Sequence, residues 1–233
     1  MNDKRKEQVD RLENIWRKQD FSSFLKKFST RPHLRIRAGN TIFYEGDQPE
    51  KLYFIKEGFV KLYRTSEEGR DTIIYLYGPG SVLGVRALTG KDRLLRHSAE
   101  ALTEVTVVTI PRDEFIKAAS EHPEILIDIL HVFIERLNYT ERKLEGFILT
   151  DSTARVASFL SDLAKRFGVR KNGKIDLPLS LTHQRIAEFV GSFRETVTIS
   201  VNRLKKEGIL KDDRGKITIL DIKKLNEHAL IKD

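Results

Sequence analysis

Between Leu126 and Phe147 apolar residues recur at alternating steps of four and three: Leu126, Leu130, Phe133, Leu137, Leu144 and Phe147, with Thr140 at the one polar place. Such spacing lays one apolar stripe along a helix, the seam of a coiled coil. That stripe needs a partner along its length. A second copy of the chain supplies it in a homodimer; the alternative is that the helix is buried against its own sheet, since the pattern runs for under four heptads. The seam spacing points first to the dimer. The helix is predicted from Pro123 to Leu149, after a shorter one that starts at Arg112 in RDEFIKAAS.

Upstream, from His33 to Pro111, the texture is different. Short alternating or β-branched runs (LRIR, TIFY, LYFI, FVKLYR, TIIYLY, VTVVTI) are separated by the turn-forming segments EGDQPE, KEG, SEEG and YGPGS. That reads as antiparallel strands joined by tight turns, as in a small barrel or roll, because a parallel sheet would need helices between its strands. Ahead of it Val9, Leu12, Ile15 and Trp16, then Phe21, Phe24, Leu25 and Phe28, suggest an amphipathic helical lead-in over residues 1–30. The expected class is α+β: lead-in 1–30, antiparallel β-roll 31–122, dimerisation helix 123–149 and a helical C-terminal domain 150–233. Asp151, Ser152 and Thr153 are placed to cap the first helix of that domain, whose apolar face holds Val156, Phe159, Leu160 and Leu163.

Charge separates the two halves. Residues 1–149 hold 25 basic and 23 acidic side chains, net +2, whereas residues 150–233 hold 17 and 11, net +6. A basic domain joined to a nearly neutral one suits a sensor attached to a reader of nucleic acid. The chain has no cysteine, which excludes disulfide frameworks, thiolate iron–sulfur clusters and cysteine nucleophiles together. No apolar stretch reaches ~18 residues and the charged N-terminus precedes no apolar run, so a cytoplasmic location is expected.

The segment SLTHQRIAEFVGSFRETVTISVNRLKKEGIL, residues 180–210, carries the most chemistry. Thr182 is placed to cap a helix that turns Ile186, Ala187 and Val190 inward. Gly191 allows a sharp turn, and Ser192 is placed to cap a second helix ending before Gly208. This is a helix-turn-helix pattern. On the second helix Val197, Val201 and Leu204 share one face, so at roughly 100° per residue Glu195, Ile199, Asn202 and Lys206 point the other way, toward a DNA major groove. Arg194 in the first turn reaches a guanine edge bidentately, Glu195 accepts from a cytosine amino group, and Ile199 packs on a thymine methyl. Plainer roles compete: a solvated Arg194, a Ser192–Glu195 capping box, an Ile199 that faces a gap. Thr182, His183, Gln184, Ser192 and Thr198 complete the candidate set at the helix entrance. Past the helix, KDDRGKITIL reads as a two-stranded wing whose Arg214 and Lys216 meet phosphates or are merely solvated.

A β-roll, a dimer helix and a winged helix-turn-helix, with EGDQPEKLYFIKEGFVKLYR in the first and IAEFVGSFRETV in the last, resemble the CRP/FNR family of bacterial transcription regulators over residues 30 to 225. The resemblance implies a homodimer on a two-fold symmetric promoter site, with RNA polymerase as a further partner. It also implies that a ligand shifts the dimer helices and so the spacing of two recognition helices, ~34 Å apart on successive major grooves.

The departures bear on the ligand. Cyclic-AMP-binding members carry a Gly-Glu pair for the ribose and an Arg-Ser pair for the phosphate. Here those places read Gly84-Val85, followed by Arg86, and Leu95-Arg96, which argues against cyclic AMP. A cysteine-ligated cluster is excluded, and His97 and His122 lack a paired spacing for haem or another metal. The closest sub-pattern is that of nitrogen-control members, which bind 2-oxoglutarate. Leu83-Gly84-Val85 looks like their Phe-Gly-Val stretch, and Arg136 and Glu141, near Thr140, match their dimer-helix pair. Leu95 occupies the place of their roll arginine, with Arg93 and Arg96 as substitutes. Arg136 and Glu141 also take the g and e positions of the seam, five residues apart, where they would form an interhelical salt bridge without any ligand.

The expected function is a homodimeric DNA-binding regulator, controlled by an effector or constitutive, and not an enzyme. A ligand-binding or catalytic barrel with a helical interaction domain is the reading from another class. No His-x-His pair or clustered carboxylates in the strands support it. A pure protein-interaction dimer is the third.

Overall fold

The predicted strands close into two sheets because their β-branched and aromatic residues alternate between a buried and a solvated side. The computed structural model describes residues 31–89 and 94–229, so the expected lead-in over 1–30 and Arg93 lie outside the described residues. One sheet has the order β1 (His33–Ile36), β8 (Val105–Pro111), β3 (Lys51–Glu57), β6 (Val82–Leu83); the other has β2 (Thr41–Phe43), β7 (Ser98–Ala101), β4 (Val60–Thr65), β5 (Asp71–Tyr77). In the first sheet every pairing is antiparallel: β1 with β8, β8 with β3, and β3 with β6. This is the expected roll. The short β6 and β7, absent from the sequence reading, supply one edge strand of the first sheet and an inner strand of the second.

The described residues form two compact units: one joins those from 31 to Leu62 with those of Leu76–Tyr139, the other joins Tyr63–Tyr75 with those from Thr140 to Ala229. In the first, helix α1 (Arg112–Glu121) and the residues up to Tyr139 of helix α2 (Glu124–Leu149) follow the roll; the rest of α2 belongs to the second unit. Phe115 and Ala119 of α1 and Ile125 and Ile129 of α2 pack with Leu52, Phe54, Val82, Val85, Val108 and Ile110 in one core. Each of the larger side chains contributes about 1.5–3 kcal/mol by leaving water. The face that α2 buries against its own unit is therefore Ile125 and Ile129, not the heptad seam. Leu126, Leu130, Phe133, Leu137, Leu144 and Phe147 are 41–58% exposed.

The second unit contains α3 (Ser152–Phe167), α4 (His183–Val190), α5 (Arg194–Lys206), α6 (Ile222–His228) and a sheet of order β11-β12-β10-β9, where β9 is Val169–Lys171, β10 Lys174–Asp176, β11 Leu210–Asp213 and β12 Lys216–Ile219. Asp151 caps α3 by accepting from the Ala154 N–H at 2.8 Å. Its inward Val156, Leu160 and Leu163 are buried, as are Ile186 and Phe189 of α4 and Val197, Val201 and Leu204 of α5, and Phe159 and Phe189 stack at 4.5 Å. The wing is larger than the two strands expected. A second hairpin, β9–β10, turns at Asn172-Gly173 and pairs with β12. In the same unit Lys143 donates to the Ile73 carbonyl at 2.8 Å. Among the described residues no helix is long and apolar enough to cross a membrane.

Candidate nucleic-acid interface

The reading surface is set by two short helices and the turn between them. Thr182 accepts from the Arg185 N–H at 3.1 Å and starts α4 at His183, as the capping pattern predicts. The turn demands glycine twice over. Gly191 adopts φ +59° and ψ +52°, the left-handed region, and a Cβ there would stand 2.8 Å from two ring carbons of Phe147. A side chain at 191 is thus opposed by backbone strain and by overlap.

The second helix begins one residue later than the sequence suggested. After the left-handed turn, Phe193 and not Ser192 takes the extended cap position (φ −92°, ψ 151°), and its side chain makes no capping hydrogen bond. Ser192 is half-buried, with its Oγ 3.5 Å from that of Ser152, so the Ser192–Glu195 capping box does not form. Glu195 stands exposed in the first turn. Downstream the predicted faces appear: Val197, Ser200, Val201 and Leu204 are buried, while Arg194, Glu195, Ile199, Asn202 and Lys206 are exposed, Ile199 by 70%. A solvated isoleucine beside an arginine, a glutamate and an asparagine on one helix makes a surface with a guanidinium fork, a carboxylate acceptor, an amide and an apolar contact, the types that distinguish base edges in the major groove.

Three further entrance candidates are engaged within the unit; Gln184 Nε2 donates to Glu188 Oε1 at 3.2 Å. Thr198 Oγ1 donates to the Arg194 carbonyl at 2.9 Å and lies 2.8 Å from His183 Nδ1; His183 Nε2 lies 3.1 Å from Asp212 Oδ2. The imidazole thereby ties α5 to β11, and the Asp212 Oδ1 accepts the Gly215 N–H at 2.8 Å across the turn to β12. The sequence reading missed Asp212; an aspartate two residues before an Arg-Gly turn was its only signal. Thr182, Gln184, Arg214 and Lys216 are exposed at the helix entrance and the wing turn.

The effector candidates are placed differently. Val85 and Leu95 are buried, 4% and 7% exposed, so the two places that would hold ribose and phosphate ligands belong to the hydrophobic interior. Gly84 has φ +76°, and a Cβ on it would lie 2.5 Å from the Lys51 carbonyl. Arg86 is half-buried, with a Nε that is buried and without a hydrogen-bond partner. Arg96 is exposed; on α2 Arg136 is half-buried and Thr140 and Glu141 are exposed. A cavity of about 240 Å³ opens in the roll, and of the candidates only Gly84 lines it, beside Phe43, Asp47, Glu50, Lys51, Tyr53 and Leu95. Its charge is mostly acidic. Burial, then the carboxylates of Asp47 and Glu50, push the Tyr53 hydroxyl pKa up. Among the described residues no group of three His, Cys, Asp or Glu side chains could hold a metal ion.

Residues 33–122 match the cyclic nucleotide-binding domain family and residues 154–228 the Crp-like helix-turn-helix domain family. The chain is 32% identical to the CRP-like cAMP-activated global transcriptional regulator of Mycobacterium tuberculosis over 191 residues, 82% of this chain and 85% of that protein. It is 36% identical to the global nitrogen regulator of Synechocystis sp. over 77% of this chain and 80% of that one. Among solved structures, a transcriptional regulator of the CRP/FNR family from Thermus thermophilus superposes with a TM-score of 0.72 at 31% identity, over 87% of this chain and all of that one.

Proposed function

The chain belongs to the CRP/FNR family of transcription regulators, and from that premise we propose that it acts as a homodimer that reads a two-fold symmetric promoter site through α5. The observation that carries the reading is the outward face of α5, where Arg194, Glu195, Ile199 and Asn202 stand in water on a helix whose other face is core. Six large apolar seam residues of α2 left 41–58% exposed support the homodimer, since a stripe of that kind is covered by a second helix in coiled coils. RNA polymerase as partner and a cytoplasmic location accompany the family reading. The test is selection of bound duplexes from a random pool, with sedimentation in parallel. The expected outcome is a palindromic site, a dimeric protein, and an association constant that falls steeply with salt as phosphate contacts release counterions. A monomer that retains no sequence would end the proposal.

A second reading concerns the effector. We propose that it is a dicarboxylate of the 2-oxoglutarate type and not a cyclic nucleotide. Two observations support it: the partnerless buried Nε–H of Arg86, a donor suited to a carboxylate and placed outside the acidic cavity at Gly84, and the burial of Val85 and Leu95 where nucleotide ligands would stand. Millimolar 2-oxoglutarate is expected to raise the melting temperature, by roughly 2.7 kcal/mol of stabilisation at a hundredfold excess over Kd, with succinate and cyclic AMP as controls. Arg86→Ala and Arg136→Ala are expected to abolish the shift. No shift in the wild type would leave the protein constitutive and Arg136 with Glu141 as a salt bridge; a shift with cyclic AMP alone would reverse the assignment.

A further inference from the structure

We propose that Phe193 is a specificity residue of the DNA surface, its ring packing on a thymine methyl at the edge of the major groove next to the bases met by Arg194. The inference rests on α5 being the recognition helix and assigns a base contact to a residue outside its outward face.

Three of the four helices of the second unit begin with a side-chain oxygen on their first N–H groups: Asp151 on α3, Thr182 on α4 and Asp221 on α6. At the same place α5 has Phe193, which makes no such bond. An aromatic ring there leaves the helix without a cap and holds a large apolar surface in water, for Phe193 is 65% exposed. Both features disfavour the free protein, and they coincide at the residue before Arg194. Two arginines adjoin it: the Arg70 guanidinium, 66% exposed and paired with Glu68 at 2.8 Å, lies 5.9 Å from the ring centre, and Arg194 follows in the chain. A ring exposed at the cap of α5, beside Arg194, meets DNA when the helix does. Among the groups that base pairs present in the major groove, the apolar one is the C5 methyl of thymine.

The test uses the full chain and the duplex that it selects from a random pool, with each thymine replaced in turn by deoxyuridine, which lacks the methyl. At one position in each half-site the wild type is expected to lose affinity about fourfold on replacement, the effect of one buried methyl. Phe193→Ser is expected to bind the thymine duplex correspondingly more weakly and to ignore deoxyuridine at that position, while it melts at a higher temperature because serine restores the cap. Phe193→Leu should keep part of the discrimination. A methyl read by Ile199 remains readable in Phe193→Ser, which separates the two contacts. Wild-type affinity in Phe193→Ser, or unchanged discrimination at every thymine, would overturn the proposal. A wild type that selects no sequence would overturn the recognition-helix reading, and this inference with it.

Discussion

The reading helix and the roll cavity belong to one chain but obey different rules. On α5 the functional groups follow one another within nine residues, from Arg194 to Asn202, and their directions are fixed by the helix period once Val197, Val201 and Leu204 are buried. Around the roll the relevant positions are Gly84, Val85, Arg86, Leu95 and Arg96, which stand in the short turn after β6 and the segment before β7, only Gly84 and Leu95 lining the cavity and Val85 and Leu95 belonging to the core. A site built on one helix face stands on local geometry, so its chemistry is altered without touching the core. The roll positions are shared with the core at Val85 and Leu95, so a change of ligand there is also a change of packing.

The comparison is broken most directly by placing a charge in the roll. Val85→Glu restores the residue type that nucleotide binders use, but in a position 4% exposed among Leu52, Phe54 and Phe115. An unpaired buried carboxylate is expected to lower stability by about 3–5 kcal/mol, read as a lower urea midpoint. If the variant unfolds at the wild-type midpoint, a polar pocket already exists there and the contrast with α5 disappears. Arg194→Ala is the counterpart. It is expected to weaken the selected operator by ~1–3 kcal/mol per half-site in gel-shift titrations, leave random DNA nearly unaffected, and change stability by less than ~0.5 kcal/mol. Equal losses on operator and random DNA would make it a phosphate contact.

A smaller effect, from the second unit, sharpens the distinction between surface and interior. Burial lowers the Lys143 pKa from 10.5 to about 8. The unfolded chain then binds the proton more tightly than the folded one, so stability rises as pH increases from about 8 to about 10.5, and below pH 8 the full cost of burying the charge remains. Lys143→Met is expected to gain about 1–2 kcal/mol at pH 7, less than the burial cost because the bond to the Ile73 carbonyl is lost, and to flatten the alkaline rise. Chemical denaturation at pH 7 and pH 10 measures both. A wild type that loses stability between those values as quickly as the variant would contradict the assignment.

What the sequence made legible was local. The Thr182 cap, the left-handed turn at Gly191 and the buried face of α5 all depend on residues within a few positions of one another. The four-residue Ser98–Ala101 and the two-residue Val82–Leu83 strands carry too few side chains to show a period, and become strands only through partners far along the chain. Asn172-Gly173 between short alternating runs was a readable hairpin signal and was overlooked. The cap assigned to Ser192 failed for a different reason. A serine, a phenylalanine and an arginine in a row suggest the serine, whereas the dihedral angles after Gly191 choose the phenylalanine. In the roll, sequence placed Gly84, Arg86 and Arg96 near an effector but did not show that Asp47, Glu50 and Tyr53 line the cavity, because those residues approach Gly84 across the sheet and not along the chain.

The contact between Gly191 and Phe147 constrains how this protein is free to diverge. Any side chain at 191 needs space that the Phe147 ring now fills, and a smaller residue at 147 would leave a void beside the turn while also thinning the exposed apolar stripe of α2. Drift at either position is therefore visible to selection twice, through the turn and through the helix stripe. Descendants should retain the two together or exchange them as a pair, with the left-handed dihedral at 191 restricting the exchange to glycine or, rarely, asparagine.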